Sequence, residues 1–472
     1  MQYNLDFIKK GQIYPPRSEA CRIAKYRDML NLYRGHTEQV VNGYWARFNG
    51  GDKTQNVKFI ELNYFKLIAS KTADLVCGEK PDVVYPDDIN IKDKEIVSRI
   101  IEQFNKKLRK SVIDFVRFSE SVLRPYRDAE GNAKVALPPP ELWVPVVNEE
   151  DTSEFIHHVI GFPDTINGQD VLVIQVHSKG YYEQYTYKTT KAKECYHEYG
   201  KIITLESYQI NREIDYQKVF TGIDGFAVEH VANEQTSDNI HGTSDFEAIV
   251  SLVADLEVRF AQRDIILDKH ASPSMAAARE HFELSRNEED KDYTGKKLNV
   301  GKAWIIGENG QIPQYVTWDG QLEAVEQDIQ DKMQQLFILS EMGAVIDDNV
   351  SGSTTLAFET IQARMVNARL KARRITEEYD EIYKRVVKNM FKLETGREMK
   401  FDINVTWNDG LPNDTKRDAE VATIEINSGL KSKKTIRKEY YNMTDKQAEE
   451  EQEQIDAETP APVFETGFTL DD

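Results

Sequence analysis

An adjacent pair of aspartates, Asp347 and Asp348, is the feature of this sequence that comes nearest to a catalytic site. Paired carboxylates can hold the divalent metal with which a nuclease activates water. The pair stands in a segment, Met342–Thr355, whose Gly, Ser and Asn residues are typical of surface loops. No third carboxylate has a recognisable spacing from the pair. The sequence is therefore compatible with a metal site and with a solvent-exposed loop tip, and the second interpretation is the simpler one.

Other catalytic motifs are absent from the sequence. Glycines precede lysines at Gly200, Gly295 and Gly301, but none of these pairs has the earlier glycine and the following Ser or Thr of a phosphate-binding loop. HExxH, GxSxG and GxGxxG do not occur. His157 and His158 fall on a predicted strand, where neighbouring side chains point to opposite faces. We therefore expect no catalytic residue, no cofactor and no metal, in a protein that is not an enzyme.

The composition is that of a soluble, ordered protein. The 472 residues are 40% hydrophobic and 30% charged, and the chain is long enough for two to four domains. No apolar run approaches the roughly 18 residues of a membrane span. The first residues lack the basic and apolar segments of a secretory signal. The isolated cysteines Cys21, Cys77 and Cys195 indicate a reducing compartment and disfavour disulfides or a zinc knuckle.

The charge is strongly negative and unevenly distributed. The net charge is −20, and the segment Asp445–Asp472 holds ten acidic residues against Lys446 alone. Tight binding of duplex DNA usually requires a basic face, whereas loose passage of DNA past an acidic wall does not. Two basic runs, neither of them specific, occur in the predicted last long helix (Arg369, Lys371, Arg373, Arg374) and near the C-terminus (Lys431, Lys433, Lys434, Arg437, Lys438).

Apolar periodicity predicts the elements that must position these residues. Spacings of three and four predict helices over 57–75, 92–118, 244–269, 319–336 and 355–394, with Gly78 and Gly343 placed to end two of them. Ser244 and Glu247 form a capping box at the start of the third helix. Alternating patterns predict eight short, mostly antiparallel strands between Ser121 and Asn233. Short β-like segments at 274–317, a strand at 400–406 and helices at 415–427 and 432–442 follow.

Four stretches, taken in order, resemble the portal proteins of tailed double-stranded DNA bacteriophages of the siphovirus type. They are Asn63–Pro81 (NYFKLIASKTADLVCGEKP), Val228–Asn233 with the following Gly242–Asp245 (VEHVAN, GTSD), Trp318–Ser340, and Ser353–Phe358 with the later Leu411–Asp414 (STTLAF, LPND). No single motif is specific, whereas the ordered set is. The resemblance covers about residues 40–455, nearly the whole chain.

The resemblance implies an α+β portal fold with a helix/β wing, a two-helix stem, a small α/β clip, a long backing helix and a helical crown. The implied parts are a wing (1–243), stem helix 1 (244–271), a clip (272–317), stem helix 2 (318–341), a tunnel loop (342–355), the wing's long helix and strand (356–410), a crown (411–457) and an acidic disordered tail (458–472).

The resemblance also implies a function. Such proteins form a ring of about twelve subunits at one capsid vertex of the virion, assembled in the host cytoplasm. Double-stranded DNA passes through the ring without sequence recognition during packaging and ejection. The implied partners are the ring's own subunits, the large terminase subunit, the neck adaptor or head-completion protein, and the capsid and scaffolding proteins, with no membrane.

Two sets of residues are implied to meet these partners. The tunnel loop would line the DNA channel with Val345, Ile346, Asp347, Asp348, Asn349, Val350 and Ser351. The clip would face the terminase and the adaptor with Glu283, Arg286, Glu288, Glu289, Asp290 and Lys296. The alternatives are a metal-dependent nuclease that uses Asp347 and Asp348, and an adaptor or scaffold protein that forms no ring.

Overall fold

The fold is described from a computed structural model. The structure describes residues 5–41, 60–86, 88–198, 201–271, 274–278, 303–306, 314–316, 322–346, 365–408, 415–441, 443 and 445–458. The chain forms two compact units, residues 1–410 and 411–472. None of the described helices is long and apolar enough to cross a membrane.

The described residues contain both helices and strands, as an α+β fold requires. The helices are α1 (Ala20–Arg34), α2 (Thr37–Val40), α3 (Tyr64–Cys77), α4 (Ile91–Phe118), α5 (Val250–Ala271), α6 (Leu322–Ser340), α7 (Gly343–Ile346), α8 (Val366–Thr395), α9 (Thr415–Asn427), α10 (Lys433–Tyr441) and α11 (Asp445–Glu458). The strands are β1 (Ile13–Tyr14), β2 (Asp82–Val84), β3 (Glu120–Arg127), β4 (Ala133–Ala136), β5 (Trp143–Val147), β6 (Phe155–Ile166), β7 (Gln169–Ser178), β8 (Tyr181–Glu198), β9 (Lys201–Phe220), β10 (Glu229–Ala232), β11 (Ser274–Ala278), β12 (Ala303–Ile306), β13 (Gln314–Val316) and β14 (Asn404–Thr406).

The largest sheet confirms the predicted antiparallel β segment. Its six strands lie in the order β1-β9-β8-β7-β6-β5, and each neighbouring pair is antiparallel. Tyr14 of β1 is fully buried over this sheet, and its hydroxyl donates to the Leu142 carbonyl at 2.6 Å. Gly161 of β6 leaves the room for this ring, because a Cβ there would lie 2.2 Å from Tyr14 Cε1. The N-terminal residues are thereby fixed onto the sheet.

Two smaller sheets complete this part of the first unit. Strand β3 pairs with β10 on one side and β4 on the other, both antiparallel. Strand β14 pairs with β2, which joins residues more than three hundred positions apart. All eight strands predicted between Ser121 and Asn233 are present, and β8 and β9 are far longer than predicted because their pairing continues to the end of the hairpin.

Helix α4 has nearly the bounds predicted for it. Asn90 caps its start by accepting a hydrogen bond from the Lys92 N–H at 3.0 Å, and Ser119 ends it at a left-handed φ of 72°. Its apolar face, which includes Phe104 and Phe115, is buried. Helix α8 packs on α3, α4 and β3, where Tyr379 is fully buried and lies 2.8 Å from the Ser111 hydroxyl.

Helix α8 confirms the predicted stripe of the last long helix within the described residues. Its buried positions recur at three and four and include Ala368, Ala372, Ile375, Tyr379, Ile382, Val386 and Met390. The described helix begins at Val366, and residues 351–364, where the sequence predicts its first turns, lie outside the described residues.

The prediction for the third helix is confirmed at its cap and corrected at its start. Ser244 N–H donates to Glu247 Oε1 at 2.8 Å, which is the reciprocal half of a capping box. The Ser244 hydroxyl also donates to the Arg117 carbonyl at 2.8 Å, so this cap is part of a tertiary contact with the end of α4. Residues 245–249 form turns, and regular α5 begins only at Val250.

Of the two predicted terminal glycines, Gly78 stands at the end of its helix and Gly343 does not. Gly78 follows α3 but keeps a right-handed φ of −63°, so it is not a left-handed cap. Helix α6 ends at Ser340 with Glu341 in the left-handed region at φ 57°, and Gly343 begins the short helix α7. A Cβ on Gly343 would lie 2.6 Å from Phe337 Cβ. Glycine is therefore required there for close packing, and not for a helix end.

Helix α1 has no counterpart in the sequence prediction. Its buried residues Ala20, Ile23, Tyr26, Met29 and Leu32 recur strictly at every third position and alternate with charged residues, so the face is narrow. The short β segments predicted within 274–317 are present, by contrast: strands β11, β12 and β13 form a three-stranded sheet in which β11 is central, parallel to β12 and antiparallel to β13.

The described residues of the second unit form three helices where the sequence predicts two. Helices α9 and α10 match the predicted pair, and α11 follows within the acidic segment. Lys434 of α10 binds Glu449 of α11 at 2.7 Å, and Lys438 binds Asp445 at 3.0 Å. These pairs place part of the C-terminal basic run against the acidic residues beside it.

Candidate functional site

The residues predicted for the channel loop are only partly within the described chain. Val345 and Ile346 belong to α7, so the predicted loop Met342–Thr355 begins with a helical turn. Asp347, Asp348, Asn349, Val350 and Ser351 lie outside the described residues. The six residues predicted to face the terminase and the adaptor, Glu283, Arg286, Glu288, Glu289, Asp290 and Lys296, lie outside them too. The structure therefore does not test whether these residues form a site.

Lys371 of the basic run in α8 is a buried structural cation. The residue is 5% exposed, its ammonium forms an ion pair with Asp245, and it donates to the Ser340 carbonyl at 3.0 Å. Asp245 also accepts from the Asn233 amide at 2.6 Å. One lysine thus joins the start of the α5 region, the end of α6 and the N-terminal part of α8.

Two further residues of this basic run are also paired with acidic groups. Arg374 forms an ion pair with Glu341, and Arg373 binds Glu377 one turn along α8 at 2.9 Å. Lys371 and Arg374 line a cleft of about 480 Å³ between the end of α6 and the α5 start, together with Ile338 and Leu339, which are exposed. Lys371 and Arg374 therefore tie α8 to the neighbouring elements, whereas Arg373 is paired within α8.

Helices α5 and α6 are joined by four alternating charges. Arg259 Nε of α5 lies 2.9 Å from Asp328 Oδ2 of α6, and Lys332 Nζ of α6 lies 3.3 Å from Asp255 Oδ2 of α5. These side chains are between 20% and 38% exposed, so each pair is only partly screened by solvent. The alternation fixes which face of one helix meets the other.

A buried carboxylate, Glu120, is the centre of a polar cluster that sequence reasoning missed. Glu120 is completely buried at the start of β3. Its Oε1 accepts from the Tyr26 hydroxyl and from Arg22 Nη1 at 3.2 Å, both in α1. Its Oε2 accepts from His230 Nε2 and from His241 Nδ1, each at 2.8 Å. Four donors from three separate segments therefore converge on one carboxylate.

These donors set the ionisation of Glu120. Burial by itself would raise the pKa of the carboxyl, but the hydrogen bonds and charges of His230 and His241 outweigh burial and bring the pKa below its usual range. Burial, followed by the Glu120 charge, raises the pKa of the Tyr26 hydroxyl well above its usual value. Glu120 is thus an anion and Tyr26 a neutral donor at neutral pH, an arrangement that fastens α1 to the sheet.

His157 and His158 are structural residues on β6. His158 is buried, accepts from the Trp143 indole N–H at 3.3 Å and stacks on the Phe155 ring at 4.7 Å. Burial lowers the pKa of His158 well below its ordinary value, so the ring stays neutral. His157 lies 2.9 Å from the Ser178 hydroxyl. Their imidazoles have different neighbours, as the strand alternation predicts.

Within the described ranges, one group of three side chains has atoms close enough to hold a metal ion. It consists of His36, Glu38 and Glu61, none of which the sequence pattern singled out. His36 and Glu38 lie at the turn from α1 into α2, and Glu61 comes just before α3. No short motif marks the group, because its members come from segments that only the fold brings together.

These features define an α+β protein whose long helices and sheets are fastened to one another by buried charges at their junctions. A family model described as "Phage portal protein, SPP1 Gp6-like" matches residues 18–461. The chain therefore belongs to this family of phage portal proteins, as the ordered motifs indicated.

Comparison with solved structures gave two similar chains from gene transfer agent (GTA) particles. One, from the "Neck of empty GTA particle computed with C6 symmetry", has a TM-score of 0.43 and 11% identity, and the match covers 91% of this chain and 95% of that one. The other, from the "Virion of native gene transfer agent (GTA) particle", has a TM-score of 0.39 and 12% identity, with the same coverage of both chains. No curated protein sequence matches the chain.

Proposed function

We propose that this protein forms a closed ring at one vertex of a phage capsid and acts as the conduit through which DNA is packaged and ejected. The observation that carries the proposal is the family match over residues 18–461, which spans nearly the whole chain. A closed ring needs a head-to-tail interface that closes by rotation, and identical rigid subunits supply it. The protein would act by holding its shape, and not by catalysis.

The described contacts support a division of labour within each subunit. Helices α5 and α6, joined by alternating charges, are suited to be the two stem helices (244–271 and 318–341). Residues 1–243 and 356–410 would form the wing, which Glu120 and α8 stiffen. Residues 272–317 would be the clip, 411–457 the crown and 458–472 the acidic tail.

The charge of the chain suits a channel that DNA must pass without sticking. The net charge of −20 arises from 60 Lys and Arg residues against 80 Asp and Glu residues, and this excess of carboxylates opposes the counterion-releasing contacts that hold duplex DNA in place. The basic run of α8 supports this proposal, because Lys371, Arg373 and Arg374 are paired with carboxylates. Asp347 and Asp348 would be repeated around the bore and repel phosphates as the duplex slides.

The partners of such a ring follow from its place in the virion. We propose that the clip residues Glu283–Lys296 meet the large terminase subunit during packaging and the neck adaptor afterwards. The capsid and scaffolding proteins would surround the wing. A separate terminase would supply the energy for DNA movement.

The mass and shape of the purified full-length protein test this proposal. One chain has a mass of 54.4 kDa, so single-particle electron microscopy is expected to show a ring of about 650 kDa with a central hole. A homogeneous monomer or dimer at micromolar concentration would overturn the proposal and favour the adaptor alternative. Metal-dependent DNA cleavage that is lost in Asp347→Ala would instead favour the nuclease alternative.

A further inference from the structure

Several acidic groups and one imidazole come together where the turn after α1 meets α5. His36, Glu38 and Glu61 each offer one ligand atom, and these atoms lie within 4.8 Å of one another. Ligands of a single Zn²⁺ or Mn²⁺ ion bind at about 2.0–2.2 Å and therefore lie roughly 3–4 Å apart. Small rotations of the side chains would close the three atoms around one ion.

The backbone that carries these side chains is already fixed in place. Gly35 ends α1 in the left-handed region at φ 88° and turns the chain into His36. From α5, the Glu257 Oε1 atom accepts from the Thr37 hydroxyl and from the Leu62 N–H, each at 3.1 Å. One buried carboxylate thus holds both segments that present the ligand atoms, so binding an ion would require little ordering of the chain.

Among the side chains that the structure describes, none compensates the charge of this group. Glu257 is 2% exposed, and its Oε2 atom accepts no hydrogen bond from any residue that the structure describes. Within the same residues, no lysine or arginine forms an ion pair with Glu38, Glu61 or Glu257. Buried charges in proteins are normally paired with an opposite charge or bind a cation.

We propose that His36, Glu38 and Glu61 bind one divalent transition-metal ion, with the Glu257 carboxylate behind them. An imidazole with carboxylates is a donor set that Zn²⁺ prefers, whereas Mg²⁺ and Ca²⁺ take oxygen ligands. Among first-row ions the expected order of affinity is Zn²⁺ above Mn²⁺. The ion would offset the clustered negative charge and fasten the segments around 36–38 and 60–62 to α5.

Isothermal titration of the full-length, EDTA-treated and dialysed protein with ZnCl₂ tests the proposal directly. We expect one specific ion per chain and a higher melting temperature in Zn²⁺, with a smaller rise in Mn²⁺ and none in equimolar Mg²⁺. Glu61→Gln, at an exposed position, and His36→Ala should each weaken Zn²⁺ binding by at least about tenfold. Glu95→Gln, which removes an exposed acidic group of α4, should bind Zn²⁺ like the unchanged protein.

Either of two results would overturn the proposal. The first is the absence of a specific Zn²⁺ site in the unchanged protein. The second is Zn²⁺ binding that His36→Ala and Glu61→Gln leave intact, which would place the ion elsewhere on the surface. Circular dichroism shows whether His36→Ala is folded, and Glu61→Gln decides the matter if it is not. Stoichiometry per chain does not depend on ring formation, so this test is independent of the proposed portal function.

Discussion

Glu120→Gln is expected to be among the most destabilising conservative substitutions in this protein. Glu120 uses one oxygen for two donors of α1, Arg22 and Tyr26, and the other for His230 and His241. An amide has only one accepting oxygen. Turned toward α1, its NH₂ group would face the Arg22 guanidinium, which can only donate, and turned toward the histidines, it would require both rings to present an accepting nitrogen. In either orientation the buried charge that balances Arg22 would be lost.

The size of the effect follows from the burial of the site. Glu120 is completely buried, and the Arg22 side chain is 9% exposed. Breaking a buried ion pair by removing one partner costs about 3–5 kcal/mol. The loss should be local at first, because α1 is bound to the sheet through Arg22 and Tyr26.

Guanidinium unfolding at fixed protein concentration, monitored by tryptophan fluorescence, measures this loss. Trp143 stacks on His230 at 4.5 Å and therefore reports on the cluster. In Glu120→Gln, the increase in amide hydrogen exchange over the unchanged protein should be larger in α1 than in α8. Glu102→Gln is the matched control, because Glu102 is 61% exposed and pairs only with Lys106, and it should cost less than about 1 kcal/mol. An unfolding free energy of Glu120→Gln within about 0.5 kcal/mol of the unchanged protein would refute the reasoning.

Lowering the pH should remove the stability that ionised Glu120 contributes to the fold. Its folded pKa lies below the unfolded value of about 4.3. The stability that it contributes is therefore present above pH ~4.3 and is lost as the pH falls through the folded pKa. Glu120→Gln should make the unfolding midpoint less dependent on pH below about 4.

Three further outcomes are expected. Lys371→Met should cost about 3–5 kcal/mol of unfolding free energy, because it leaves Asp245 buried without its cation. Arg373→Met, on the exposed face of α8, should cost less than about 1 kcal/mol. Equal effects of the two substitutions in denaturant unfolding would contradict the structural role assigned to Lys371. Burial, with a smaller effect of Arg124, lowers the pKa of His177 to about 3, so the stability of the protein should fall as the pH drops below ~6.5. In His177→Phe, the melting temperature should depend less on pH below that value. An unchanged pH dependence would show that other groups cause it. Shortening Met342–Thr355 should preserve ring assembly in electron micrographs but impair packaging of DNA in vitro, and normal packaging would count against the channel-loop assignment.

Much of the fold was predictable because its signals are local. The apolar residues of α8 and of α4 recur at helical spacing over many turns, so many positions independently indicate the same helix. The sequence between Ser121 and Asn233 has alternating apolar segments separated by turn residues, and all eight predicted strands were found, although two of them are much longer than predicted. Helix α1 was not predicted, because its buried residues occur at every third position among charged neighbours and form only a narrow apolar face.

The junctions were not predictable, because each depends on residues distant in sequence. Arg22 lies 98 positions from Glu120, and His241 lies 121 positions from it on the other side. Lys371 looked like one member of a solvated basic run until the fold placed it between Asp245 and the Ser340 carbonyl. A single sequence does not indicate which of such distant residues are in contact.

The sequence by itself determined the class of protein: an α+β chain, acidic, without known catalytic motifs, whose ordered segments match a portal family. Those properties follow from composition, period and the order of motifs, which are all read along the chain. Only the tertiary structure decided which charged residues are buried and paired, and that His36, Glu38 and Glu61 meet beside Glu257. The ionisation and partners of a side chain depend on its distance from other groups in space, and that distance exists only once the chain has folded.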